Sequence, residues 1–242
     1  MHRSIPVLFA AFLVSGCFHR HSRTENAGST GPRQATVEWL GRGSFLVSSS
    51  IGLSMLLDPF NPGVAHIPVK VASIPADVVF ITHEDEMSNF TDLAAGSPQI
   101  FRSSMATGVN RASGILVRGV RTSSENLAAT GRLNVAYVFA MDGVRFCDLG
   151  AIEDAITPSE ALNIGTVDVL FIPVGGPPNF TDAKRLATID RLRPKIVVPW
   201  PYGGSFERIP GQMNVVRLNS IRFTVSSSAL PATTTVYILS GH

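Results

Sequence analysis

Asp77–Phe90 read DVVFITHEDEMSNF, and this stretch decides the fold. Ala76–His83 is a short continuous apolar run entering Thr82-His83, the pattern of a strand buried on both faces. A burst of acid follows: Glu84, Asp85 and Glu86, then Met87-Ser88-Asn89. The outline is that of a metal-binding loop at a strand end, yet it holds a single histidine. Downstream, NFTDLAAG (Asn89–Gly96) predicts a helix with Ser88 or Asn89 as its N-cap.

Working outward, TVEWL, SFLVSS and LSMLLDPF predict three strands, broken by Gly41-Arg42-Gly43 and by Ile51-Gly52. NVAYVFAMDGVRFCDL predicts a hairpin turning at Asp142-Gly143. SEALNIG predicts a short helix ending at Gly165. VDVLFIPVGG and KIVVPWPYGG are two more buried strands. Between them TDAKRLATIDRLRP predicts an amphipathic helix with Ala183, Leu186 and Ala187 on one face, stopped by Pro194. IRFTVSS and TTTVYILSGH predict closing strands. Strands with interspersed helices imply a layered α/β domain. With no long linker dividing it, the chain predicts one domain over 35–242.

The 242 residues suffice for a substantial core. A hydrophobic content of 45% and charged content of 16% exclude a disordered chain. The formal charge of +2 and the lack of a basic block with interleaved aromatics give no footprint for nucleic acid.

The N-terminus predicts targeting. His2 and Arg3 precede the apolar run Ile5–Val14, which falls short of the roughly 20 residues a membrane-spanning helix needs. VSGC (Val14–Cys17) follows and resembles a bacterial lipobox, which implies cleavage of residues 1–16 and a lipid on Cys17. An ordinary signal peptide with an incidental Cys17, or an uncleaved anchor, are the alternatives. Phe18 after the cysteine favours the outer membrane by resemblance to the enterobacterial sorting rule. Residues 17–34 then form a polar, Gly/Ser-rich tether that reaches at most about 55–60 Å. His19 and His21 on it read as part of a solvated tail. The other cysteine, Cys147, reads as a small buried hydrophobe.

Five pieces in order resemble the metallo-β-lactamase superfamily, in the branch similar to the ascorbate-6-phosphate lactonase: EWLGRGSFLV with LLDPF, ADVVFITHEDEMSNF, FAMDGVRFCDLGAIED, VDVLFIPVGG and RPKIVVPWPYGG. The resemblance implies a four-layer αββα sandwich and, at the strand ends, two divalent metals that activate a bridging water. Carried over residue by residue, only His83 remains of the histidines. Asp85, Met87 and Ser88 stand at the next positions of the loop motif. Another histidine position falls near Ser124, the bridging aspartate on Ala151, the last histidine on Pro201 and an early one on Arg42. Asp58 keeps the role of fixing the loop at the strand end.

The chain from Ala35 holds only His66, His83 and His242, too few for a His-rich pair of metals. His83, Asp85 and Asp148 could hold at most one divalent ion (Zn, Mn or Fe), with Glu84, Glu86, Glu153 and Asp154 near them in sequence. The other reading makes His83 a satisfied loop residue and the acids solvated. Arg42 either pairs with Asp85 or Asp148 in place of a metal or receives an anion. Trp200, Pro201 and Tyr202 either wall a ligand site or plug the vacated space. The expectation is an envelope lipoprotein with a largely lost metal site that acts by binding an envelope protein or a small anionic ligand. The alternative is a divergent hydrolase, lactonase- or phosphodiesterase-like, with a mononuclear site around His83.

Overall fold

The computed structural model describes residues 33–67, 70–122, 133–175, 180–201 and 213–240. All fall within one compact unit, Pro32–His242. Cys17 and the tether up to Pro32 lie outside the described residues, as do Ser124 and Tyr202. The chain runs β1 (Ala35–Gly41), β2 (Ser44–Ser48), β3 (Ser54–Leu57), α1 (Pro62–Ala65), β4 (Ile74–Pro75), β5 (Val78–Ile81), β6 (Ala94–Ala95) and β7 (Gln99–Arg102). It continues with β8 (Gly108–Ala112), β9 (Ile115–Arg121), β10 (Val135–Met141), β11 (Val144–Asp148), α2 (Pro158–Ile164), β12 (Val169–Val174) and α3 (Asp182–Leu192). It closes with β13 (Ile196–Pro201), β14 (Asn214–Leu218), β15 (Arg222–Val225) and β16 (Thr235–Leu239).

Two sheets form the sandwich. One has the order β15-β1-β2-β3-β5-β7 and the other β14-β16-β13-β12-β11-β10-β9-β8. Their inner faces meet through aromatic side chains. Phe45 of β2 packs on Phe171 of β12 with centroids 4.5 Å apart. Phe80 of β5 packs on Tyr137 and Phe139 of β10 at 4.8 and 5.5 Å. Such pairs add about 0.5–1.5 kcal/mol each beyond the area they bury.

Helices cover the outer face of the larger sheet, where Ala136, Cys147, Leu170 and Ile172 pack with Ile164, Ile189 and Leu192. α2 is set by its sequence: Thr157 and Glu160 form a capping box, Pro158 opens the first turn, and Gly165 ends it at φ 75°. The Asp142-Gly143 turn has positive φ at both residues, 51° and 79°, which a tight two-residue hairpin requires.

Two sequence expectations are corrected. Asn89–Gly96 is no α-helix: Thr91–Leu93 make one 3₁₀ turn and Ala94–Ala95 pair as β6 with β4. That ribbon, through Ile74 and Ala94, covers Leu56, Val79 and Ile81 on the outer face of the smaller sheet. The buried side of α3 is Arg185, Thr188, Ile189 and Leu192, while Ala183 is exposed. Arg185 can be buried because its Nε donates to Pro173 O at 3.0 Å, its Nη2 donates to Phe180 O at 3.3 Å, and it pairs with Asp182. Among the described residues no helix is long and apolar enough to cross a membrane.

Candidate functional site

The C-terminal ends of β3, β5, β11 and β13 meet at one rim of the sandwich. β3 ends in Asp58, which takes φ 41° and is buried. It accepts the Thr82 N–H at 2.7 Å on Oδ1 and the Thr82 hydroxyl at 2.5 Å on Oδ2. Asp58 thereby locks the end of β3 to the end of β5. The Thr82 oxygen lies 2.8 Å from His83 Nδ1, and His83 Nε2 lies 3.1 Å from Asp85 Oδ2. Asp85 Oδ1 accepts the Met87 N–H at 2.8 Å and the Ser88 hydroxyl at 3.1 Å. The Ser88 hydroxyl also reaches His83 O at 2.8 Å. Ser88 therefore braces the loop onto itself and caps no helix, the 3₁₀ turn having Phe90 at its N-cap.

These contacts set the charge of Asp85. Burial opposes its ionisation, but the hydrogen bond and charge of His83, with the Met87 N–H and the Ser88 hydroxyl, hold its carboxyl down at about 2.

The opposite side of the rim differs. Asp148 at the end of β11 is wholly buried, and burial pushes its carboxyl up to about 7 against the Gly150 N–H that bonds it. That N–H meets Oδ1 at 3.0 Å, while Oδ2 has no hydrogen-bond partner among the described residues. Asp58 is also raised, by burial first and then by the negative charge of Asp148. Gly150 turns at φ 59°, and a Cβ there would stand 2.2 Å from Thr82 Oγ1. Only glycine lets the β11 end approach Thr82 so closely. At the end of β13, Trp200 is buried with its ring on Gly43, where a Cβ would meet it at 3.2 Å.

A cavity of about 70 Å³ opens here, lined by Arg42, Gly43, Asp58, His83, Asp85, Met87 and Trp200. Pockets for drug-sized ligands span about 300–1,000 Å³, so this one admits a fragment or a few waters. Of His83, Asp85 and Asp148, only the first two line it. His66 is exposed at the C-cap of α1. Of the acids near these positions in sequence, Glu84 pairs with Arg102 at 2.7 Å and Asp154 with Lys184. Ala151 and Pro201 carry no donor side chain, and Trp39 Nε1 donates to the Arg42 carbonyl at 2.8 Å.

The family described as the beta-lactamase superfamily domain matches residues 36–200. The chain belongs to the metallo-β-lactamase superfamily. Among its relatives, a protein of Archaeoglobus fulgidus named a UPF0173 metal-dependent hydrolase is 24% identical, over 69% of this chain and 82% of its own length. One of Thermococcus kodakarensis with the same description is 26% identical, over 69% and 84%. The Thermotoga maritima crystal structure described as a Zn-dependent hydrolase of this superfamily has a TM-score of 0.64 at 22% identity, covering 86% of this chain and all of that one. A metal-dependent hydrolase of Parabacteroides distasonis has a TM-score of 0.57 at 18% identity, over 72% and 85%. At these identities the solved structures speak for the fold alone, which is the expected αββα sandwich.

The relatives are named as metal-dependent hydrolases. Among the described residues no three His, Cys, Asp or Glu side chains are grouped so that they could hold a metal ion. His83 Nε2 already faces the Asp85 carboxylate. Of the three candidate ligands only His83 and Asp85 reach the cavity, the Asp58 carboxylate beside them is taken up by Thr82, and the rim residues do not fit a His-rich dinuclear centre. Sequence reasoning passed over Thr82, which joins Asp58 to His83, and Gly150, which fits beneath it. The pairing of LLD with FITH at two parallel strand ends was the available signal.

Proposed function

We propose that this chain is a lipid-anchored protein of the bacterial cell envelope whose metallo-β-lactamase-fold domain, of the ascorbate-6-phosphate-lactonase-like branch, works by binding and not by metal-activated hydrolysis. The observation that carries this reading is the donor set at the strand ends. His83 and Asp85 close on each other, Ala151 and Pro201 offer no ligand, and Trp200 packs against Gly43 beside them. The ligand is a small anion at the Arg42 edge of the cavity or an envelope protein. The anchor is the lipid on Cys17, with the outer membrane favoured by Phe18.

A second reading has two supports: the relatives named as metal-dependent hydrolases and the buried Asp148 oxygen that lacks a hydrogen bond among the described residues. In it His83, Asp85 and Asp148 rearrange around one Zn, Mn or Fe ion, and the domain hydrolyses a lactone or phosphodiester.

Elemental mass spectrometry on the chain from Phe18, purified without chelator, separates the two. The binding reading expects substoichiometric metal and a melting temperature that chelator does not move. Near-stoichiometric metal, lost in His83→Ala, overturns it and establishes the mononuclear site. For the anchor, Cys17→Ala is expected to abolish lipid labelling and membrane retention; persistence of both would sink that assignment.

A further inference from the structure

Leu93–Ser124 contains four arginines (Arg102, Arg111, Arg118 and Arg121) and no Asp or Glu. Elsewhere the chain has sixteen basic residues against eighteen acidic ones. The whole positive excess is therefore concentrated in one 32-residue stretch. In the fold its described residues, 93–122, build one end of the sandwich, because β7 is an edge of the smaller sheet and β8 an edge of the larger.

Arg102 is neutralised by Glu84. Arg111 and Arg118 are not: among the described residues they donate to backbone carbonyls, Arg111 to Gly114 O at 3.0 Å and Arg118 to Asn163 O at 2.9 Å. The β8–β9 register pairs Val109 with Arg118 and Arg111 with Leu116. Directly paired residues share a face of an antiparallel sheet, so these four form a checkerboard of cation and aliphatic side chain. The neighbours Ala112 and Val117 point the other way, into the core.

The aliphatic members are unusually open. Val109 is 62% exposed, Leu116 59%, Leu162 on the adjoining α2 83%, and Met105 in the turn between β7 and β8 84%. Ile100 of β7 and Met105 also line a groove of about 340 Å³ at this end.

We infer that this β8–β9 face, with Met105 and Leu162 at its margins, docks on an anionic lipid surface. Exposed aliphatic tips enter the headgroup–acyl boundary while arginines meet lipid phosphates, and a bilayer bearing negative charge satisfies both halves of such a surface. β8 and β9 carry no acid to be repelled by that surface, and the outward-lying aliphatic side chains have apolar matter to enter. The inference is independent of the Cys17 anchor and of the strand-end site, since neither contributes a residue.

The test is vesicle co-sedimentation of the chain from Phe18, which has neither the apolar run nor Cys17 and keeps the whole compact unit. Vesicles of phosphatidylcholine alone are compared with vesicles holding about 30 mol% phosphatidylglycerol at low salt. Binding to the anionic vesicles is expected to be about tenfold stronger or more, to weaken with added salt, and to fall to the neutral-vesicle level in Arg111→Glu/Arg118→Glu. Val109→Asn/Leu116→Asn is expected to lower binding severalfold while its salt dependence remains. Far-UV circular dichroism checks that each variant is folded. If the charge-reversed pair does not fold, Arg111→Gln/Arg118→Gln takes its place, with a smaller loss expected. Equal binding to both vesicle types, or anionic-vesicle binding unchanged in the folded arginine variants, overturns the inference. Binding to soluble poly-glutamate without preference between the vesicles also overturns it and points to an acidic protein partner.

Discussion

The two sides of the strand-end rim are held by different physics. On the side of Asp58, Thr82, His83 and Asp85, polar atoms are joined in a hydrogen-bonded chain, and Asp85 is strongly ionised. On the side of Asp148, Gly150 and Trp200, close packing dominates: a wholly buried carboxyl with one oxygen unbonded among the described residues, a glycine against Thr82, and an indole on Gly43. Where donors remain, the loop is wired; where they are missing, the space is filled. Hydrogen-bonded loops at a rim tolerate water, whereas packed ones cost stability when a void is opened. The two sides therefore predict different sensitivities to mutation.

Trp200→Ala should have the largest effect, about 3–5 kcal/mol of lost stability from transfer and cavity terms, measured by chemical denaturation. A loss under about 1 kcal/mol would mean that the indole merely rests on the surface. Gly150→Ala comes next. The new methyl collides with Thr82 at a positive φ, with about 2–3 kcal/mol expected.

Asp148→Asn tests the buried charge. The unfolded carboxyl loses its proton near pH 4, while the folded one keeps it to about 7. Between these values the folded state binds more protons, so stability falls as pH rises. The variant is expected to flatten that fall and to be the more stable form at pH 8 by at least about 1 kcal/mol. A wild-type stability that rises steadily from pH 5 to 8 would contradict the raised value.

Asp85→Asn should have the smallest effect. Its folded carboxyl sits at about 2, below its unfolded value, so its contribution is present above pH 4 and disappears as pH falls towards 2. The side chain is 39% exposed, and solvent screening limits the cost to under about 1 kcal/mol at pH 7.

Much of the fold was legible because its central strands announce themselves. Val78–Ile81, Val169–Val174 and Ile196–Val198 are apolar on both faces and lie buried on interior strands of their sheets. The Asp-Gly hairpin is likewise a local signal. The region from Ala94 to Arg121 was not legible. Gly108 and Gly119 interrupt β8 and β9, Gly114 sits in the turn between them, and arginine alternates with aliphatic residues at or next to the sheet edges formed by β7 and β8. The helix expected over Asn89–Gly96 failed because Ala94 and Ala95 gained strand partners in β4, a tertiary contact that outweighs weak local propensity. On α3, reading apolar residues as the buried face missed Arg185, whose burial depends on the Pro173 carbonyl of β12 and the Phe180 carbonyl just ahead of the helix. In the site, His83 and Asp85 could be placed from their loop, whereas the depth of Asp148 and its influence on Asp58 arise only from the folded packing.

Cys147 gives the molecule an internal clock. It lies wholly buried on β11, its thiol pushed up by burial and by the neighbouring Asp148. In the chain from Phe18 it is the single cysteine. Alkylating reagents act on the thiolate of an accessible sulfur, so labelling of the native domain must wait for the larger sheet to open. The rate at which one sulfur acquires a tag then counts those openings, and the same assay can rank the rim variants without adding a probe.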